Sequence, residues 1–241
     1  MLHPRRTSGQ TGGPPMPDAP ALKITDLRFR YPRPREGEAF ELRIPALVLG
    51  QGEQMLVAAR SGGGKSTLLN LICGLMDPDG GSIEIAGQNI HALHGPARDR
   101  FRGRSIGMIF QTFNLLTGFS AAENVMAAMM FSAIPSSEHR SRALGLLASL
   151  GISNPHENAE NLSVGQQQRV AVARAVACDP VLVLADEPTA SLDPENAANA
   201  IDLIEKACQA RNASLLCVSH DPAIASRFTR REALGHAGAA S

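Results

Sequence analysis

Three adjacent glycines, Gly62, Gly63 and Gly64, are followed at once by Lys65, Ser66 and Thr67. Glycine lets a backbone curl closely around an anion with its N–H groups pointing inward. The preceding run Gln54–Ala58 reads as a strand and Ser66–Leu75 has helical character, so the glycines sit where a strand turns into a helix. That is the setting of a phosphate-binding loop over residues 59–67, in which Arg60, Ser61, Gly62, Gly63, Gly64, Lys65, Ser66 and Thr67 would surround the phosphates. Lys65 would reach the β- and γ-phosphates, and the Ser66 hydroxyl would ligate Mg²⁺. Ala59 stands where the commoner pattern has glycine, and alanine tolerates fewer backbone angles.

The run Val181–Ala185 is continuously apolar, as expected of a strand buried on both faces, and it ends in Asp186 and Glu187. Carboxylates at the carboxyl end of a buried strand lie where α/β sheets bind ligands. Asp186 is suited to hold Mg²⁺ through water, and Glu187 to polarise the water that attacks a γ-phosphate. The two motifs together describe a P-loop NTPase. The chain has no N-K-x-D run, which disfavours guanine as the base.

The elements that must position these groups can be traced along the chain. Ile24–Tyr31, Phe40–Ile44, Ala46–Leu49, Ser82–Ala86, Ser105–Phe110 and Ser214–Val218 read as further strands. Residues 120–150 are helical, divided by Pro135, and Leu162–Ala177 is a helix with Ser163 as cap. Another helix spans Glu195–Arg211. Early antiparallel strands followed by strand–helix alternation predict an α/β fold with a mixed sheet and a helical insertion. Residues 1–20 are polar and rich in Pro and Gly, and are expected to be a disordered leader.

Composition removes other classes. Lys+Arg and Asp+Glu each number 23, so the formal net charge is zero and a global basic field for gripping nucleic acid is lacking. No run approaches the roughly 20 apolar residues of a transmembrane helix, so work at a membrane would go through a partner. Cys73, Cys178, Cys208 and Cys217 form no C-x-x-C pair, which argues against a zinc site or a disulfide framework. Arg98, Arg100, Arg102 and Arg104 read as a solvated face.

Three further segments narrow the reading: Gln111 in Phe110-Gln111-Thr112-Phe113, Leu162-Ser163-Val164-Gly165-Gln166, and His220 in Val218-Ser219-His220-Asp221. With Ser191-Leu192-Asp193, the order is phosphate loop, Gln, L-S-x-G-Q, acidic pair, S-L-D, His. It resembles the nucleotide-binding subunit of ABC transporters over about residues 22–225. Ile109–Gln111, Phe113–Leu116, Glu123–Val125 and Leu184–Thr189 look most like the ATPases of lipoprotein-releasing systems and macrolide exporters. Amino-acid importers share the Phe-Asn-Leu segment, but more often have an aromatic residue where Ala185 stands.

The resemblance implies an ABC-type ATPase domain over residues 21–241, with a mixed parallel core sheet, an antiparallel β subdomain and a helical subdomain at about 112–165. It implies that Tyr31 stacks on adenine and that Gln111 ligates Mg²⁺ and senses the γ-phosphate. Ser163, Gly165 and Gln166 would meet ATP across a head-to-tail dimer, Asp193 would link the two sites, and His220 would orient water beside Glu187. An integral membrane permease would carry the substrate, with the ATPase on the cytoplasmic face. The Met- and Phe-containing helical region would hold that partner's coupling helix as well as a core. Val164, where glycine is commoner, narrows the backbone and adds bulk near the phosphate. The C-terminal run Arg230–Leu234 departs from the family, so the last strand and any regulatory domain are expected to be missing. An importer ATPase, a soluble ABC ATPase and a non-hydrolysing subunit are the competing readings.

Overall fold

A computed structural model describes residues 19–31, 40–59, 62–190, 192 and 194–234. Most of the expected leader, together with Arg60, Ser61 and Asp193, therefore lies outside the described residues.

Two sheets form. The first is antiparallel, ordered β2-β1-β4-β5, from β1 (Leu22–Arg30), β2 (Glu41–Leu49), β4 (Gly80–Ile85) and β5 (Gln88–Asn89). The two strands expected over Phe40–Leu49 are one, because Pro45 sits in the outermost strand, where its missing N–H breaks no ladder. The second sheet is parallel, ordered β6-β7-β8-β3-β9, from β3 (Gln54–Ala58), β6 (Ile106–Ile109), β7 (Leu182–Asp186), β8 (Ser214–Ser219) and β9 (Arg230–Ala233). The last strand is thus present, contrary to the expectation: Arg230–Ala233 pairs with Met55–Ala58 along the edge of the sheet.

Burial follows the two-residue period of the strands. On β7, Val183 and Ala185 face one core while Leu182 and Leu184 face the other; on β8, Leu215 and Cys217 alternate in the same way with Leu216 and Val218. One core joins the parallel sheet to α3 (Ala121–Met129), α4 (Ser136–Ser149), α5 (Val164–Val176) and α6 (Pro194–Gln209). The other joins it to the antiparallel sheet and to α1 (Lys65–Ile72). The chain continues past β8 through α7 (Pro222–Ala225). Pro135 stands at the N-cap of α4, as the sequence suggested. Capping boxes start α3 (Ser120 with Glu123) and α5 (Ser163 with Gln166).

A helix not anticipated from the sequence, α2 (Pro96–Ser105), carries the basic stretch. Two of its arginines do not form a solvated face. Arg98 donates to the Leu93 and Gly74 carbonyls, and Arg102 to that of Cys73. The Cys73 and Gly74 carbonyls lie just past the end of α1, where a helix leaves acceptors without partners.

Candidate functional site

The carboxyl edge of the parallel sheet gathers the phosphate loop, the acidic pair, Gln111 and His220, whereas Ser163, Gly165 and Gln166 open a separate helix. β3 leads into the glycine loop, in which Gly62 (φ 76°) and Gly64 (φ 87°) take the left-handed backbone that glycine alone adopts without strain. A side chain at Gly64 would meet the Phe40 ring at 2.6 Å. Ala59 is not among the left-handed residues, so alanine there carries no backbone strain. The first turn of α1 has neither a side-chain cap nor an acidic residue. Its amides and the positive end of the helix dipole face the loop, the arrangement that binds phosphate.

From β7 the chain delivers the acidic pair. Ser66 Oγ donates to Asp186 Oδ2 at 3.1 Å. Glu187 turns sharply: its φ is 45° and its amide donates to the Val218 carbonyl at 2.9 Å. Its carboxylate is buried and held from three sides. Ser219 Oγ donates to Oε2 at 2.8 Å, His220 Nδ1 lies 2.6 Å from Oε1, and Lys65 Nζ lies 3.1 Å from Oε1. Lys65 Nζ also donates to the Ala59 carbonyl at 3.0 Å.

These surroundings push two neighbouring carboxyls apart. Burial raises the pKa of Asp186, and the negative Glu187 adds to that, against the Ser66 hydrogen bond. Burial pushes Glu187 up as well, but the hydrogen bonds from His220, Ser219 and Lys65 outweigh it and hold Glu187 below the usual carboxylate range. An ionised, oriented carboxylate beside a lysine and an uncapped helix start is suited to accept a proton from water near a phosphate.

Tyr31 stands beside this loop. Its hydroxyl is 2.9 Å from Thr67 Oγ1 and its ring, 45% exposed, packs edge-on against Phe29 at 5.0 Å. Gln111 follows β6 by two residues, and β6 pairs with β7 (Ile109 with Ala185), so Gln111 is exposed on the same sheet edge as the acidic pair. Ser163, Gly165 and Gln166 open α5, with the Ser163 and Gln166 side chains each bonded to the other's amide. Val164 is the first helical residue, 52% exposed and without left-handed strain. Space beside Gly165 is open.

Three residues to which the sequence order assigns no role also make specific contacts. Ser219 holds Glu187; the signal available was a polar residue closing the apolar run Leu215–Val218. Asn124 is fully buried and bonds the Leu116 amide and the Leu116, Phe119 and Ser120 carbonyls. Arg174, the one charge in the apolar run Val170–Val176, bonds the loop after Gln111.

Residues 42–190 match the ABC transporter family. The lipoprotein-releasing system ATP-binding protein LolD of Anaeromyxobacter dehalogenans is 46% identical over 192 residues, covering 76% of this chain and 78% of that protein. The methionine import ATP-binding protein MetN of Brucella abortus is 36% identical over 229 residues, covering 94% of this chain and 60% of that protein. Among solved structures, the dimeric ATP-binding cassette MJ0796 in a post-hydrolysis state, bound to ADP and Pi, matches with a TM-score of 0.76 and 32% identity, covering 88% of this chain and 94% of that one. This chain belongs to the ABC transporter family, as an ATP-binding and ATP-hydrolysing subunit.

Proposed function

We propose that the protein hydrolyses ATP at two composite sites of a head-to-tail dimer and so drives an integral membrane permease. The observation that carries this reading is Glu187, buried and bonded at once to Lys65, His220 and Ser219 at the mouth of the phosphate loop. The loop glycines and the amides of Lys65, Ser66 and Thr67 bind the phosphates, with Arg60 and Ser61 completing the loop. The β- and γ-phosphates compete for Lys65, which then releases Glu187 to take a proton from the attacking water. Ser219 and His220 keep the Glu187 carboxylate aimed, and the exposed His220 ring meets the γ-phosphate.

Ser66, Asp186 and Gln111 present hard oxygens, the donor type Mg²⁺ takes, and the 3.1 Å Ser66–Asp186 contact fits such a site. A Mg²⁺ held by these three residues would supply positive charge against the phosphates. Tyr31 stacks on the adenine. Ser163, Gly165 and Gln166 of one subunit close over the γ-phosphate held by the other, and Asp193 joins the two sites. Residues 21–241 act as one ATPase domain, with about 112–165 as its helical subdomain.

The higher identity to a lipoprotein-releasing ATPase than to a methionine importer favours the release or export branch. Among the described residues no helix is long and apolar enough to cross a membrane. In this reading the permease holds the protein at the cytoplasmic face. Net charge zero argues against nucleic acid as the partner.

Affinity purification from detergent-solubilised source cells tests this. The expected companion is an integral membrane protein in near-equal amount, with a large extracytoplasmic domain. A companion solute-binding protein would favour import instead. A soluble homodimer alone, or ribosomal or DNA-repair companions, would contradict the transport reading and leave only the ATPase chemistry.

A further inference from the structure

The loop from β6 to α3 carries Gln111, and it is tied down at two places by different elements. Its second half is bound by Asn124 of α3, through Leu116, Phe119 and Ser120. Its first half is bound by α5. Phe113 (φ 58°) and Asn114 (φ 47°) are consecutive left-handed residues, a costly backbone for anything but glycine and, to a lesser degree, asparagine. The Arg174 guanidinium takes both of their carbonyls: Nη2 donates to Phe113 O and Nη1 to Asn114 O, each at 2.6 Å. Burial lowers the pKa of Arg174, as for a cation drawn partly out of water, and the two carbonyls compensate that desolvation. The same helix begins at the Ser163–Gln166 capping box. At 1.5 Å per residue, Arg174 lies about 16 Å along the axis from that end.

We infer that Arg174 is a positioning residue for Gln111: its fork to Phe113 and Asn114 sets where the Gln111 amide reaches, and couples that reach to the Ser163 end of α5. The inference rests on the reading of Gln111 as a group that faces metal and phosphate. A helix moves as a rigid unit, so displacement of its start against a partner's nucleotide is passed through two hydrogen bonds to the Gln111 loop. The fork requires arginine. A lysine ammonium is a compact donor that does not span two carbonyls in fixed geometry.

The test is a double-mutant cycle on the full chain, read as binding. Titration calorimetry measures how much Mg²⁺ tightens binding of a non-hydrolysable ATP analogue, for the native chain, Arg174→Lys, Gln111→Ala and the double variant. Each single variant is expected to lose roughly fivefold or more of that gain. The double variant should lose no more than Gln111→Ala alone, since both changes act on one contact. Metal-free ADP affinity of Arg174→Lys should stay near the native value, whatever the variant costs in melting temperature. Arg174→Gln, which also breaks the fork, replaces the lysine variant if that does not fold. Losses that add in the double variant, or a full Mg²⁺ gain in the arginine variants, would overturn the inference. A full gain in Gln111→Ala would remove the reading of Gln111 itself, and this proposal with it.

Discussion

At the scale of residues, the chemistry depends on small numbers of atoms whose types were visible in the sequence. Lys65, Ser66, Asp186, Glu187 and His220 were picked out by type and order, and the fold brings them to one sheet edge. What spacing did not disclose is who holds whom. Ser219 reaches Glu187 only because adjacent parallel strands place β8 beside β7. The two departures from the common glycine pattern are also explained only by backbone angles: neither Ala59 nor Val164 occupies a left-handed position. Tyr31 carries a prediction at this scale. Base–aromatic stacking contributes about 1–3 kcal/mol, so Tyr31→Ala should weaken ATP binding by roughly tenfold or more while Tyr31→Phe retains most of the affinity. Equilibrium titration with a fluorescent ATP analogue measures both. Equal affinity in Tyr31→Ala and the native chain would remove adenine stacking from the account.

At the scale of elements, legibility followed hydrophobic pattern. The buried strands β7 and β8 announce themselves as apolar runs, α3 by its helical pattern and α5 by its cap. By contrast, α2 buries only Phe101 and Ser105, and so shows no apolar stripe of helical period. The side chains of β9 are mostly exposed, and its pairing to β3 is a matter of backbone hydrogen bonds, which no side-chain pattern reports. A further joint between elements is Asp179, between α5 and β7. It pairs with Arg142 of α4 and with Arg211, just past α6, at 2.7 Å. Burial pushes this carboxyl up, but hydrogen bonds from Arg211 and then Arg142 outweigh it and hold its pKa below the ordinary range. A depressed folded pKa means that the pairing stabilises the fold above about pH 4, the unfolded value, and that this stability is lost as pH falls further. Both pairs are partly solvated, so the whole effect is about 1 kcal/mol. Asp179→Asn keeps a residue tolerant of the left-handed backbone at φ 47° and should lower the melting temperature at pH 7. That penalty should be constant down to about pH 5 and shrink below about pH 4. Thermal melts across that range check it, and a penalty that grows on acidification would contradict the assigned sign.

At the scale of the whole molecule, two cores clamp one parallel sheet and leave its carboxyl edge to the phosphate loop, the acidic pair and Gln111. Ser163 and Gly165 lie at the start of a separate element, where a side chain at Gly165 would meet only open space. In the proposed dimer a second copy, with bound ATP between the two, would close against this outward-facing segment, and closure would be a shift of population driven by the nucleotide. The sequence order of motifs carries this expectation. The most direct test of the central claim is the mass of Glu187→Gln in solution, with and without ATP and Mg²⁺, by analytical ultracentrifugation. The account predicts a variant without measurable turnover that becomes a dimer with ATP and returns to monomer with ADP. A variant that still hydrolyses ATP at the native rate, or one that binds ATP and stays monomeric, would contradict it.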